Sequence, residues 1–196
     1  TAETDEDNEL TISITASDVD IETNSQNLTF TATSDNDNVS VTVDGTSLVA
    51  TPSADYNGSA TITVDVTDGE YVSTDTFTLT INAINDAPVI DAISDQTIDE
   101  DGTITLTLSA FDVDQDVLYY TVVADSNTTV SVVLDQLTLT PNQDFYGSIS
   151  VSVEVTDTEY IDQTSFNLTV SSINDSPILT FISDAQIQED DFFALE

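Results

Sequence analysis

The sequence predicts an all-β chain of tandem seven-stranded Greek-key β-sandwiches arranged end to end, and three observations carry that expectation. Apolar and polar residues alternate with period two along most of the 196 residues, as in half-buried antiparallel strands whose successive side chains point to opposite faces. No segment has convincing helical spacing. One series of short acidic motifs occurs twice in the same order, which marks a domain repeat.

The strands follow from the alternation. In the second copy seven are expected, around 94–98, 103–110, 117–123, 129–133, 136–140, 148–156 and 163–172. Ile104, Leu106, Leu108 and Ala110 alternate with Thr and Ser in the second of these, as Leu10, Ile12, Ile14 and Ala16 do in the first copy. The sixth carries Ile149, Val151, Val153 and Val155, matched by Ile62, Val64 and Val66; the seventh carries Phe166, Leu168 and Val170, matched by Phe77, Leu79 and Ile81. Seven short strands bounded by Asp, Asn and Gly suit a two-sheet sandwich with one core per repeat. Tyr56 and Phe145, followed by Gly58 and Gly147, are expected to plug the core at turns.

The motifs fix the repeat boundaries. Copy one reads Asp5-Glu6-Asp7, Asp18-Val19-Asp20, Asp55-Tyr56-Asn57-Gly58, Val66-Thr67-Asp68 and Asn85-Asp86-Ala87-Pro88. Copy two reads Asp99-Glu100-Asp101-Gly102, Asp112-Val113-Asp114, Asp144-Phe145-Tyr146-Gly147, Val155-Thr156-Asp157 and Asn174-Asp175-Ser176-Pro177. Asp20 to Asp114 is a shift of 94 and Asp86 to Asp175 a shift of 89, so the register survives a five-residue deletion. This gives repeat 1 over 1–86, opening part-way into the pattern as an excised piece would, and repeat 2 over 87–175. Residues 176–196 begin a third copy or form a linker or tag, since 183–190 match 94–101 at the shift of 89.

Charge excludes several functions. With 38 Asp+Glu and no Lys, Arg or His, the formal charge is -38 and no side-chain salt bridge can form. Self-repulsion of this size opposes compaction, yet 39% of residues are hydrophobic and patterned, so the chain is expected to fold with its charge neutralised from solution. A uniform polyanion offers nothing to nucleic acid, and no run of apolar residues is long enough for direct membrane insertion. Without Cys there is no disulfide or thiolate site, and without His, Lys, Arg or Cys a nucleophile lacks its usual base, so the chain reads as a non-enzyme.

Strand parity then places the acids. If the first strand of a sandwich runs down, the second runs up and so on. Asp112 and Asp114 (after the second strand) and Asp157 (after the sixth) lie at the top, with Asp18, Asp20 and Asp68 as their counterparts in copy one. Glu100, Asp101, Asp144, Asn174 and Asp175 lie at the bottom, with Glu6, Asp7, Asp55, Asn85 and Asp86 as counterparts. Stacked repeats are expected to bring Asp5, Glu6, Asp7, Asp55, Asn85 and Asp86 against Asp112, Asp114 and Asp157. With no basic residue present, hard cations are the expected glue, and Ca2+ takes six to eight oxygens of this kind. Asp35, Asp37, Asp125 and Asp162, outside the motifs, are expected to be solvated turn residues.

An early-loop Glu, Ala-x-Asp-x-Asp after the second strand, an Asp ending the sixth and Asn-Asp-x-Pro at the join resemble the pattern of cadherin repeats. Asp99-Glu100-Asp101-Gly102 with Tyr146-Gly147 and Asn85-Asp86-Ala87-Pro88 resembles the bacterial cadherin-like repeats of large secreted adhesins. The pattern departs from cadherins at Ala83 and Ser172, where an acidic residue usually precedes Asn-Asp. The resemblance implies interdomain calcium that stiffens an extended multi-domain rod, neighbouring repeats of the same chain as the partners, and an extracellular setting on or outside a bacterial cell. Two functions fit: extender repeats that project a distal binding domain, or a recognition module that binds polysaccharide, a cell-surface ligand or a like repeat.

Overall fold

The computed structural model describes residues 1–19 and 27–181. Among them every regular element is a β-strand. The chain forms two compact units. The first is Thr1–Asp91 with 109–120 and 154–163; the second is Ala92–Leu108 with 121–153 and the chain from Thr164 onward.

In the first unit β1 (Ala2–Asp5), β7 (Val72–Asn82), β6 (Gly58–Thr67) and β3 (Thr29–Ser34) make one sheet in that order, and β2 (Leu10–Ser13), β5 (Ser47–Pro52) and β4 (Val39–Asp44) make the other. β1 lies parallel to β7, Ala2 facing Leu79, whereas β6 and β7 run antiparallel over ten pairs from Gly58↔Ile81 to Thr67↔Val72. The inward residues of both sheets, Leu48, Ala50, Ile62, Leu79 and Ile81 among them, form the core. A one-residue slip would turn this set to solvent, so burial locks the register.

The second copy repeats the plan. β12 (Tyr119–Ala124), β15 (Gly147–Thr156), β16 (Ile161–Ser171) and β9 (Gln96–Asp99) form one sheet, with β9 again parallel to β16. β10 (Ile104–Thr107), β14 (Gln136–Pro141) and β13 (Thr128–Val133) form the other. Leu137, Leu139, Ile149, Val151 and Val153 are fully buried.

Two strands depart from expectation. The strand expected over 103–110 is broken into β10 and β11 (Ala110–Phe111), because its partner β14 begins only at Gln136 and the last backbone bond on that side is from Leu108 N–H to the Asp135 carbonyl. Beyond it β8 (Val89–Ile90) takes over as neighbour, pairing Ile90 with Ala110 and Val89 with Phe111. β8 is itself an addition: two residues are too few for periodicity to reveal.

The aromatic plugs are where the sequence puts them. The Tyr56 hydroxyl accepts from Asn36 Nδ2 at 2.6 Å, and its ring packs so closely on Gly58 that a Cβ there would sit 2.7 Å from the hydroxyl oxygen. Gly58 (φ 144°) and Gly147 (φ 139°) hold backbone that side chains rarely adopt, so the dihedral calls for glycine at both, and at Gly58 the space does as well.

Candidate metal centre

Each acidic loop is built by the same local chemistry in both copies. Glu6 and Glu100 are buried, and each carboxylate accepts the N–H of an isoleucine past the last strand, Ile84 at 2.6 Å for Glu6 and Ile173 for Glu100. Asp7 and Asp101 both sit in left-handed backbone (φ 60°), as do Asp55 (φ 55°) and Asp144 (φ 57°), a conformation Asp tolerates better than most residues. Asp7 Oδ1 accepts the Asp55 N–H at 3.1 Å, and Asp101 Oδ1 accepts the Asp144 N–H at 3.0 Å. Asp68 Oδ1 accepts the Glu70 and Tyr71 N–H groups at 2.8 Å, and Asp157 Oδ1 those of Glu159 and Tyr160 at 2.7 Å.

Within the first unit the expected lower loops of copy one come together with the expected upper loops of copy two. Asp86 N–H donates to Asp114 Oδ2 at 2.8 Å, and Asn85 Nδ2 donates to Asp157 Oδ2 at 2.8 Å. Glu6, Asp86 and Asp114 each place a carboxylate oxygen within 4.8 Å of the others, and so do Asp7, Asp55 and Asp86. Asp86 belongs to both triads. In the second unit Asp101, Asp144 and Asp175 converge in the same way but stay exposed.

Burial makes the first cluster costly. Glu6 is 3% exposed and Asp112 5%, in a chain with no Lys, Arg or His to pair with them. Asp112 Oδ1 accepts the Asp114 N–H at 2.9 Å, but its Oδ2 and the Asp86 Oδ2 are buried with no hydrogen-bond partner. Desolvation, then the carboxylates of Asp55, Asp7, Asp114 and Glu6, raise the Asp86 carboxyl above its usual range. Asp157 goes the other way: desolvation pushes it up, but the Asn85 amide and the Tyr160 and Glu159 N–H groups together hold it below. Asp68 is likewise held low by the Tyr71 and Glu70 N–H groups.

The donor set fits a hard cation. All the converging atoms are oxygens, and oxygens within 4.8 Å of one another are close enough to contact one ion at the roughly 2.3–2.6 Å that calcium takes. Glu6, Asp86 and Asp114 would hold one ion, and Asp7, Asp55 and Asp86 a second bridged by Asp86.

The remaining expected ligands divide. Glu100, Asn174 and Asp175 lie at the lower end of copy two, where the Asn174 amide donates to its neighbour's carbonyl. Asp18 is half-buried beside Ser17, and Asp20 lies outside the described residues, as do 182–196 of the expected third copy. Three acids expected to be merely solvated turn out to hold backbone. Asp35 Oδ1 accepts the Thr61 N–H at 2.7 Å, Asp125 Oδ2 that of Ser150 at 2.9 Å, and Asp162 Oδ2 that of Ile90 at 2.9 Å. Asp35 and Asp125 stand at like turns of the two copies, a recurrence visible in the sequence; Asp162 has Ser73 as its counterpart, so the repeat gave no signal.

Residues 1–82 and 85–171 match the bacterial Ig domain family, and the chain belongs to it. No curated protein matches. Among solved structures, human protocadherin-24 EC1-2 is 14% identical over 83% of this chain and 88% of that one, with a TM-score of 0.53, a likeness of fold. Chicken VE-cadherin EC1-2 is 13% identical over 86% of this chain and 96% of that one, at a TM-score of 0.42. An endo-fucoidan hydrolase from glycoside hydrolase family 107 is 19% identical over 89% of this chain at a TM-score of 0.37, and this chain spans only 28% of its length. The protein is therefore a tandem of bacterial Ig-like domains with a cadherin-like sandwich fold. Among the described residues no helix is long and apolar enough to cross a membrane.

Proposed function

We propose that these repeats are calcium-binding extender units of a bacterial cell-surface or secreted adhesin, in which ions at the junction loops stiffen the chain and hold a binding domain away from the cell. The observation that supports this best is the buried, unpartnered Oδ2 of Asp86, a residue that belongs to two triads of convergent carboxylates in a chain without a basic side chain; Asp112 carries a second such oxygen. A buried carboxylate with no counter-charge and one oxygen left without a hydrogen bond is costly, and a divalent cation offsets that cost.

The role needs no catalysis. Glu6, Asp86 and Asp114 are far apart in sequence, and an ion shared by their carboxylates would add to the single hydrogen bond from the Asp86 N–H to Asp114, so cation binding becomes mechanical restraint. Outside a cell, where calcium is about millimolar, sites of roughly 10⁻⁴–10⁻³ M affinity fill. Calcium titration by calorimetry, followed by small-angle scattering of the same samples, tests the reading. It expects saturable binding and a narrower distribution of shapes in calcium than in chelator; unchanged scattering with bound calcium would remove the mechanical role.

A further inference from the structure

Each sandwich ties the strand that enters it to the strand that leaves it. In copy two the entering strand β9 is the outer strand of its sheet, where β16 is its hydrogen-bonded neighbour, and the two run parallel from Leu168↔Gln96 to Ser171↔Asp99. Side-chain carboxylates lengthen this seam at both ends. Just ahead of β9, Asp95 Oδ1 accepts the Asn167 N–H at 2.8 Å. Just past β9, the Glu100 N–H donates to the Ser171 carbonyl at 2.8 Å and the Glu100 carboxylate accepts the Ile173 N–H. Copy one repeats the plan, with β1 parallel to β7, the Glu6 N–H donating to the Asn82 carbonyl at 3.0 Å and the Glu6 carboxylate accepting the Ile84 N–H.

Thermodynamic stability does not account for this arrangement. Parallel pairing is slightly less stable per residue than antiparallel. Glu100 is 8% exposed and Glu6 3%, a costly place for a carboxylate in a chain with no Lys, Arg or His. What a parallel seam does provide is a direction of resistance. Tension along the chain pulls β9 back toward its start and β16 forward toward its end. In parallel strands these pulls oppose each other along one axis, so they slide the strands past each other and load the bonds from Asp95 to Ile173 together. In antiparallel strands the same tension would open the seam from one end, one bond at a time.

We infer that the β9–β16 seam is a shear clamp that keeps repeat 2 folded when the chain is pulled lengthwise, with Asp95 and Glu100 as its latches. This function is resistance to unfolding under tension, distinct from the stiffness that ions would give the junction loops. It rests on the proposed extender role only for the source of the tension. The clamp itself is made of strands and latches within repeat 2, and none of its bonds passes through an ion.

The sequence has no cysteine, so introduced pairs give unique handles for single-molecule force spectroscopy. Ala92→Cys with Ser176→Cys, both at exposed positions, pulls along the seam. Thr103→Cys with Ser176→Cys, also exposed, grips just past the ends of β9 and β16 that lie side by side, and peels the strands apart. In one calcium buffer the first pair is expected to unfold at a severalfold higher force than the second. Asp95→Ala removes the acceptor for the Asn167 N–H at the end of the seam far from Thr103. At a fixed load along the seam it is expected to unfold about tenfold faster, the order that loss of a hydrogen bond to a charged group implies. When peeled it is expected to unfold at the parent's rate, and Asp95→Asn, which keeps an acceptor, is expected to match the parent in both geometries. Because the two geometries share one buffer, a failure of calcium to bind would remove the cation reading and leave this comparison intact. Equal unfolding forces in the two geometries, or an Asp95→Ala effect of the same size in both, overturns the inference.

Discussion

The Asp86 backbone N–H donates to Asp114 Oδ2 at 2.8 Å, linking two residues 28 apart in sequence at the centre of the carboxylate cluster. The Oδ2 of the Asp86 side chain is buried and has no hydrogen-bond partner. Asp86 is thus fixed by its backbone while one oxygen of its carboxylate is left without a partner, as the proposed cation site requires.

Calcium is expected to raise the melting temperature far more than sodium chloride of equal ionic strength. An ion bound only to the folded chain adds about 2.7 kcal/mol per site at about a hundredfold excess over its Kd, whereas sodium only screens. Scanning calorimetry in the two salts decides, and equal shifts would mean diffuse screening with no defined sites.

Glu6→Gln separates the two states of the cluster. Glutamine keeps the acceptor for the Ile84 N–H but removes a buried negative charge beside Asp86 and Asp114. In chelator the variant is expected to melt higher than the parent; in millimolar calcium it is expected to melt lower, because a ligand is gone. A change of the same sign in both conditions would contradict a cation at Glu6.

Asp112→Ala is expected to weaken calcium binding measured by calorimetry, while Asp125→Ala leaves it unchanged. Asp125→Ala nevertheless removes the acceptor for the Ser150 N–H and is expected to cost about 1 kcal/mol in denaturant unfolding. Calcium affinity that falls on loss of Asp125 but not of Asp112 would refute the placement of the site.

The hairpin tips differ in one residue. Gly45 (φ 58°) and Leu134 (φ 57°) occupy the same first position of a two-residue turn, flanked by the pairs Asp44↔Ser47 and Val133↔Gln136. A left-handed leucine is strained there, so Leu134→Gly is expected to stabilise by about 1 kcal/mol and Gly45→Leu to destabilise by a similar amount. Urea midpoints of the two variants moving in the same direction would show that the turn conformation is not what matters.

Asp35 supplies a pH dependence away from the cluster. The Thr61 N–H holds its carboxyl below the ordinary value of 3.8. A depressed folded pKa contributes stability above 3.8 that is lost as pH falls through the lower folded value. The stability difference between the parent and Asp35→Asn is therefore expected to be constant at neutral pH and to shrink below 3.8; a difference that grows on acidification would reverse the assignment.

Much of this protein was legible without coordinates. Alternation in Ile149, Val151, Val153 and Val155 placed β15 and its buried face because a strand's side-chain period is a local property. The duplicated motifs located the acidic loops, since a repeat that survives a deletion preserves the same turns, and Asp7 and Asp101 share a left-handed φ of 60°. Strand parity assigned loops to ends, since antiparallel connection alternates direction. Only the tertiary structure decided which carboxylates share a space. Asp86 joins Glu6 and Asp114 in one triad and Asp7 and Asp55 in another, an outcome of how loops up to 108 residues apart pack. The burial of Asp112 against the half-exposed Asp18, the capping roles of Asp35, Asp125 and Asp162, and the two-residue strand β8 also needed three dimensions. Each depends on contacts distant in sequence, which pattern along the chain does not encode.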